Sequence, residues 1–309
     1  MSTAPELLAI GETMAMVAPV SGGRLGEAES FRLDAGGAES NVAAHVAALG
    51  HRTAWFSRLG DDSLGRRVAA QLADRGVDVS AVVLDPAHPT GLYVKDPGHG
   101  VSYYRAGSAA SRLSPADADT VELAGVRILH LSGITAAISD SAAAFLSRII
   151  DRAHGAGVLV SFDVNHRAAL WSHAAAAGAL AALAARADLL FTGRDEAESL
   201  WGTATALDIR ARFPGVAELV VKDSDVGATV FVGTSDVFEP SLVVDVVDAV
   251  GAGDAFAGGY LAALLEAAAP VDRLRAGHAR AALTLTTTAD SIAGAASAPS
   301  PPAHERPLQ

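Results

Sequence analysis

The sequence predicts an α/β fold, a mostly parallel sheet with helices on both faces and a small β appendage. Three observations predict it. Short apolar runs of strand character alternate with segments of 3.6-residue periodicity along most of the 309 residues, the pattern of strands joined by crossover helices. Hydrophobic residues make up 50% of the chain, enough at this length to bury a large core. Two stretches break the alternation, a pair of β-like runs around a tight turn and a Pro-rich end.

The strand runs are LLAIGE (7–12), TAWFSRLG (53–60), VRILHLSG (126–133), VLVSFDVN (158–165), DLLFTG (188–193), ELVVK (218–222) and ATVFV (228–232). Between the second and third, DDSLGRRVAAQLADRGV (61–77) repeats Leu64, Val68 and Leu72 every four residues. Asp61, Asp62 and Ser63 supply its N-terminal caps and Gly76 its stop. Residues 90–106 read as a hairpin turning at Pro97-Gly98-His99-Gly100. With residues 12–34 this hairpin is expected to form a β-lid over the mouth of the sheet. The tail from residue 293 is rich in Ala, Pro and Ser without apolar period, so a flexible end follows a single domain of residues 1–292.

Composition narrows the function. The chain has no cysteine, which excludes disulfides, thiolate catalysis and Cys-ligated zinc. Its net charge of −12 argues against nucleic acid as a partner, since phosphate neutralisation needs a basic face. No run of 18 uncharged apolar residues and no basic-then-apolar leader occurs, so the expectation is a soluble cytoplasmic protein without a membrane partner.

The chemistry concentrates in VVDAVGAGDAFAGGYLAALL (246–265). LVVDVVD (242–248) reads as extended, and Phe256, Tyr260 and Leu264 then recur at helical spacing, so Gly251-Ala252-Gly253-Asp254 sits at a strand-to-helix turn. Small residues there let backbone N–H groups reach an anion at a helix N-terminus. Asp254 would repel a phosphate unless it takes a proton from a hydroxyl attacking that phosphate, which is the logic of phosphoryl transfer. The plainer alternative is a tight turn with Asp254 as an N-terminal cap.

DAVGAGDAFAGGYLAAL (248–264) resembles the C-terminal signature of the ribokinase-like, or PfkB, carbohydrate kinases. GGAESNVAAHVAALG (36–50) and RLGDDSLG (58–65) resemble their N-terminal one. Within that family GLYV (91–94), YYRAGSA (103–109), HLSGIT (130–135) and DVNHR (163–167) are most similar to 2-keto-3-deoxygluconate kinases. The resemblance implies a three-layer α/β/α domain with a β-lid, which transfers phosphate from ATP with Mg2+ to 2-keto-3-deoxy-D-gluconate. It places Gly37, Asn41, Tyr93, Tyr103, Arg105, Arg167 and Asp290 around the sugar acid, with Arg105 and Arg167 on its carboxylate. Asp254 would be the base, beside Gly251, Ala252 and Gly253. Asn165, Arg167, Gly193, Lys222, Ser224, Gly227, Gly251, Gly253 and His278 would bind ATP. Glu196 would reach magnesium through water, and Asp248 a K+ ion as in some relatives.

Bland readings stand beside these. The hairpin can bury one aromatic per strand and leave Arg105 as a solvated edge charge, Arg167 can pair with Asp163, and Asn41 can cap a helix. The rival functions are a kinase for a neutral sugar or another keto-deoxy acid, and a sugar-acid binder without turnover. Two segments depart from the family pattern. GRDE (193–196) lacks the usual polar first residue, and KDSDVG (222–227) puts Ser224 where glycine is usual, with Asp223 and Asp225 adding charge near ATP. His278 stands where Asn is frequent. The exposed edges of a β-lid lead us to expect a homo-oligomer.

Overall fold

The structure, a computed structural model, describes residues 4–286. Asp290 and the tail lie outside the described residues. The strands are β1 (Leu7–Ile10), β2 (Met14–Pro19), β3 (Phe31–Gly36), β4 (Thr53–Phe56), β5 (Arg58–Gly60), β6 (Val77–Asp78), β7 (Val83–Asp85), β8 (Leu92–Asp96), β9 (Gly100–Tyr104), β10 (Ile128–Ser132), β11 (Leu159–Asp163), β12 (Leu189–Gly193), β13 (Glu218–Asp223), β14 (Gly227–Val232) and β15 (Ser235–Pro240). The α-helices are α1 (Ala38–Ala48), α2 (Ser63–Asp74), α3 (Pro115–Thr120), α4 (Gly133–Ile138), α5 (Asp140–Gly155), α6 (His173–Ala184), α7 (Arg194–Trp201), α8 (Ala206–Arg212), α9 (Ala252–Leu265) and α10 (Pro270–Leu285).

Nine strands form the main sheet in the order β15-β14-β13-β12-β11-β10-β1-β4-β6. Apart from the antiparallel β13-β14-β15 edge it is parallel. Its central strands carry Leu, Val, Ile and Phe on both faces because both are covered. One face packs on α1, α2, α9 and α10 through Val42, Val68, Leu72, Phe256, Tyr260 and Leu274. The other packs on α5 to α8 through Phe145, Ile149, Leu180, Ala197 and Ile209. This is the three-layer arrangement expected.

The lid is a four-stranded sheet, β3-β2-β8-β9, in which β2 and β8 run parallel and the other pairs antiparallel. Its hairpin turns as predicted at residues 97–100, where Gly98 and Gly100 have φ of 79° and 101°. The predicted second helix is α2, whose cap Asp62 accepts from Gly65 N at 2.7 Å.

Three expectations change. TAWFSRLG is two strands, since β5 leaves the main sheet to pair with β7. ATVFV is not reached by a crossover; β13 and β14 form a hairpin, and β15 follows. LVVDVVD has no strand at all. Val243, Val246 and Val247 are exposed there, so β-branched propensity without a ladder partner or a buried face did not make a strand.

Candidate active site

The C-terminal ends of β1, β10, β11, β12 and β13 point to the same side of the sheet, where open α/β sheets place their ligands. Two cavities lie there. The first, about 640 Å³, runs between these strand ends and the lid, and is lined among others by Gly37, Asn41, Tyr93, Tyr103, Arg105 and Arg167. The second, about 630 Å³, lies between the 241–250 segment, β14 and α10, and is lined among others by Ser224, Gly227, Ala252 and His278. Both include Lys222, Ala249 and Gly253, so they meet at the start of α9.

That meeting point is built by Gly251. It holds φ 82°, a left-handed conformation that glycine adopts without cost, and starts α9 at Ala252. The first turn of a helix has N–H groups with no acceptor inside the helix, so they face whatever lies between the cavities. Asp254 sits in that turn on the first-cavity side. Its Oδ2 accepts from Asn41 Nδ2 at 2.9 Å. Asn41 is therefore not a cap; Gly37 caps α1, and Asn41 orients the carboxylate from 213 residues away.

Burial raises the Asp254 pKa to about 7, and the nearby Asp163 charge adds to this. The bond from Asn41 and the charges of Arg167 and Lys222 pull the other way without cancelling it. The group is thus poised to exchange a proton near neutrality. Lys222 Nζ donates to Asp163 Oδ2 at 2.8 Å. It would stand 3.7 Å from a Cβ built on Gly253, so its ammonium borders the first turn of α9. Asp163 was not singled out from the sequence as a site residue; its place at the end of a parallel strand was the available signal.

Arg105 is no solvated edge charge. Its guanidinium forms an ion pair with Glu12, a nearly fully buried carboxylate at the end of β1 that also accepts from Ser108 Oγ. Arg105 Nε is buried without an acceptor among the described residues, at the wall of the first cavity. Arg167 is exposed at the cavity, and its Nη1 donates to His166 O at 3.1 Å rather than pairing with Asp163. Tyr93 is buried and its ring lies 5.9 Å from that of Tyr103. A Cβ on Gly36 would come within 2.0 Å of Tyr93 Oη, so the glycine makes room for this lid tyrosine.

The residues assigned to ATP divide between the cavities. Lys222, Ser224, Gly227, Gly253 and His278 line the second, whereas Asn165, Arg167, Gly193 and Gly251 line the first. The two irregular segments compensate each other: Arg194 of GRDE donates from Nε to Asp223 of KDSDVG at 2.7 Å, and from Nη1 to Glu198 at 2.9 Å. The extra charge of Asp223 is therefore answered locally. Ser224 does carry the conformation of the missing glycine, with φ 47°. Ser224→Gly is expected to relieve about 1 kcal/mol of backbone strain, offset in part by the freer unfolded chain, so that the melting temperature rises slightly. Thermal melting checks it.

Glu196 lines the first cavity and is tied to the backbone around it. Its two oxygens accept from the backbone of His166 and Gly193, and Thr192 Oγ1 donates at 3.2 Å. Among the described residues no trio of acidic or histidine side chains forms a metal cage. Magnesium would arrive as part of the nucleotide substrate, on its phosphates and waters. Asp248, the candidate for K+, lies in the segment before α9. Its Oδ1 accepts from Val250 N at 3.0 Å, and its Oδ2 already faces the Lys95 ammonium at 3.6 Å.

No helix among the described residues is long and apolar enough to cross a membrane. The chain is 36% identical over 256 residues to a 2-dehydro-3-deoxygluconokinase of Thermoproteus tenax, covering 80% of this chain and 78% of that one. It is 38% identical over 258 residues to one of Bacillus subtilis, covering 80% and 79%. The solved 2-dehydro-3-deoxygluconokinase of Thermotoga maritima superposes with a TM-score of 0.85 at 25% identity, over 94% of this chain and 96% of that one. A model of the pfkB family carbohydrate kinases matches residues 4–295. With its ribokinase-like architecture and its small lid sheet, the chain belongs to the pfkB family of carbohydrate kinases.

Proposed function

We propose that the enzyme phosphorylates the primary hydroxyl of 2-keto-3-deoxy-D-gluconate with ATP, giving the 6-phosphate. The observation that carries this is Asp254, held by Asn41 at the one place where a lid-covered cavity containing Arg105 and Arg167 meets a second cavity large enough for a nucleotide. The acid lies under Tyr93 and Tyr103 with its carboxylate toward the arginines. Its far hydroxyl reaches Asp254, which orients it and takes its proton. The N–H groups of the α9 turn and Lys222 then stabilise the charge on the transferred phosphoryl group. Magnesium on the nucleotide would spread that charge further. Names of the relatives support the sugar acid over a neutral sugar.

A coupled assay over keto-deoxy acids and neutral sugars tests the reading. Arg105→Ala is expected to raise the KM for the acid about 10- to 100-fold, the worth of a hydrogen bond to a charged group. The substitution also leaves Glu12 buried without its cation, so Glu12→Gln/Arg105→Ala is the matched control for folding. Turnover of a neutral sugar at the highest kcat/KM, or tight acid binding without ATP consumption, would replace the reading. Phe31, Leu33 and Tyr104 are exposed on the lid strands and suit a second copy of the chain, which sedimentation measures.

A further inference from the structure

The first turn of α1 and its cap present Gly37, Ala38 and Asn41 to the first cavity, where Asn41 Nδ2 holds Asp254. The other end of that amide, Asn41 Oδ1, is buried with no hydrogen-bond partner among the described residues. The amide is thus held at one end only, and its aim follows the position of the turn. Glu39, in the same turn, is fully buried. Its Oε1 accepts from Ser132 Oγ at 2.6 Å and from Thr135 Oγ1 at 3.1 Å, which ties the turn to the end of β10 and to α4. Its Oε2 is buried without a partner among the described residues. A Cβ on Gly11 would collide with this carboxyl, so the residue after β1 is a glycine that makes room for it. Ser40 adds a second tie, accepting from Thr13 Oγ1 at 2.7 Å.

We propose that Glu39 is a positioning residue, an uncharged buried carboxyl that pins the first turn of α1 to β10 and α4 and so sets the Asn41 bond to Asp254. A carboxylate with one oxygen sealed from water and without a donor is costly, whereas the neutral acid keeps both accepted bonds on its carbonyl oxygen. Burial raises the Glu39 pKa, while the two hydroxyl bonds and the Arg105 charge pull the other way. After β1, Gly11 is followed by Glu12, the ion-pair partner of Arg105; β10 and α4 contribute the uncharged Ser132 and Thr135. Loosening the pin would weaken the Asn41 bond, which lowers the Asp254 pKa, so Asp254 would hold its proton to a higher pH. The rate consequence rests on the proposed phosphoryl transfer, whereas the protonation of Glu39 does not.

Thermal melting of the full chain without substrates tests the protonation. The folded state keeps a proton on Glu39 that the unfolded chain releases near the ordinary glutamate value of about 4.3, so stability from this group falls as pH rises. Glu39→Gln lacks that proton site, and its melting temperature should gain about 2 °C or more on wild type between about pH 5 and about pH 8. The Asp254 contribution is common to both and cancels. With the acceptor that serves best in the panel, Glu39→Ala should lower kcat about 10- to 100-fold, and Thr135→Val less. Both should move the acid limb of kcat/KM to higher pH, which lost packing alone would not do. Glu39→Gln should restore most of the rate lost in the Ala variant, because its amide oxygen accepts the same two bonds. If the Ala variant does not fold, Thr135→Val carries the rate test. A Gln variant that melts in parallel with wild type at every pH, a Gln variant as slow as the Ala variant, or an unmoved acid limb in Thr135→Val would each overturn the proposal. Failure of every acceptor would strike the functional reading and leave the melting result to decide this one.

Discussion

Asp254→Asn is expected to lower kcat by about 100- to 10,000-fold, with little change in either KM, because the amide keeps the shape and the Asn41 contact but cannot accept a proton. Under the proposed mechanism the charged carboxylate is the active form. With its pKa raised to about 7, kcat/KM should climb with unit slope as pH rises toward 7 and level off above it. The same shift has an opposite sign for stability. The folded state keeps this proton up to about pH 7, whereas the unfolded chain releases it near the ordinary aspartate value of about 3.9. Between those values the folded state binds more protons, so stability contributed by this group falls as pH rises and is lost above 7. Asp254→Asn should therefore melt higher than wild type at pH 8 and show no such slope. Water in the open cavity reduces the gain from the roughly 4 kcal/mol of a sealed site to about 2 kcal/mol. A variant that kept near-full rate, or a flat wild-type rate between pH 5.5 and 8, would remove Asp254 from the chemistry.

Lys222→Met should be the most damaging substitution for the fold of the site. Lys222 balances Asp163, whose carboxylate is buried at the end of β11. Removing one member of such a pair typically costs about 3–5 kcal/mol, or a fall in Tm of roughly 10 °C for a domain of this size. Lys222 also lowers the pKa of Asp254, so its loss should push the acid limb of the rate profile to higher pH. Part of the lost rate should then return at pH 8.5 to 9. A variant whose rate fell equally at every pH would show that Lys222 acts on the transferred phosphate alone.

Buried and half-buried carboxylates give the site its character. Glu12, Asp163, Glu196 and Asp254 all lie at or near the strand ends of an acidic chain, and each is answered by a donor from another element. Arg194 illustrates the same economy on the nucleotide side. Its segment and that of Asp223 each depart from the family pattern, and the two departures form one ion pair.

Periodicity and turn chemistry determined much of this protein at the level of sequence. Alternating runs dictated a parallel sheet between helices, Pro97 to Gly100 dictated the lid hairpin, and Gly251 to Asp254 dictated a glycine-led helix start with a carboxylate in its first turn. These are local signals, carried by residues within a few positions of one another. The tertiary structure alone decided that LVVDVVD is no strand, because a strand needs a partner and a buried face that its own sequence cannot supply. It decided, too, that Asn41 serves Asp254, that Glu12 holds Arg105 and that Lys95 answers Asp248. Charge pairs of this kind act through distance in space, and a bond spanning 213 residues leaves no period in the chain that makes it.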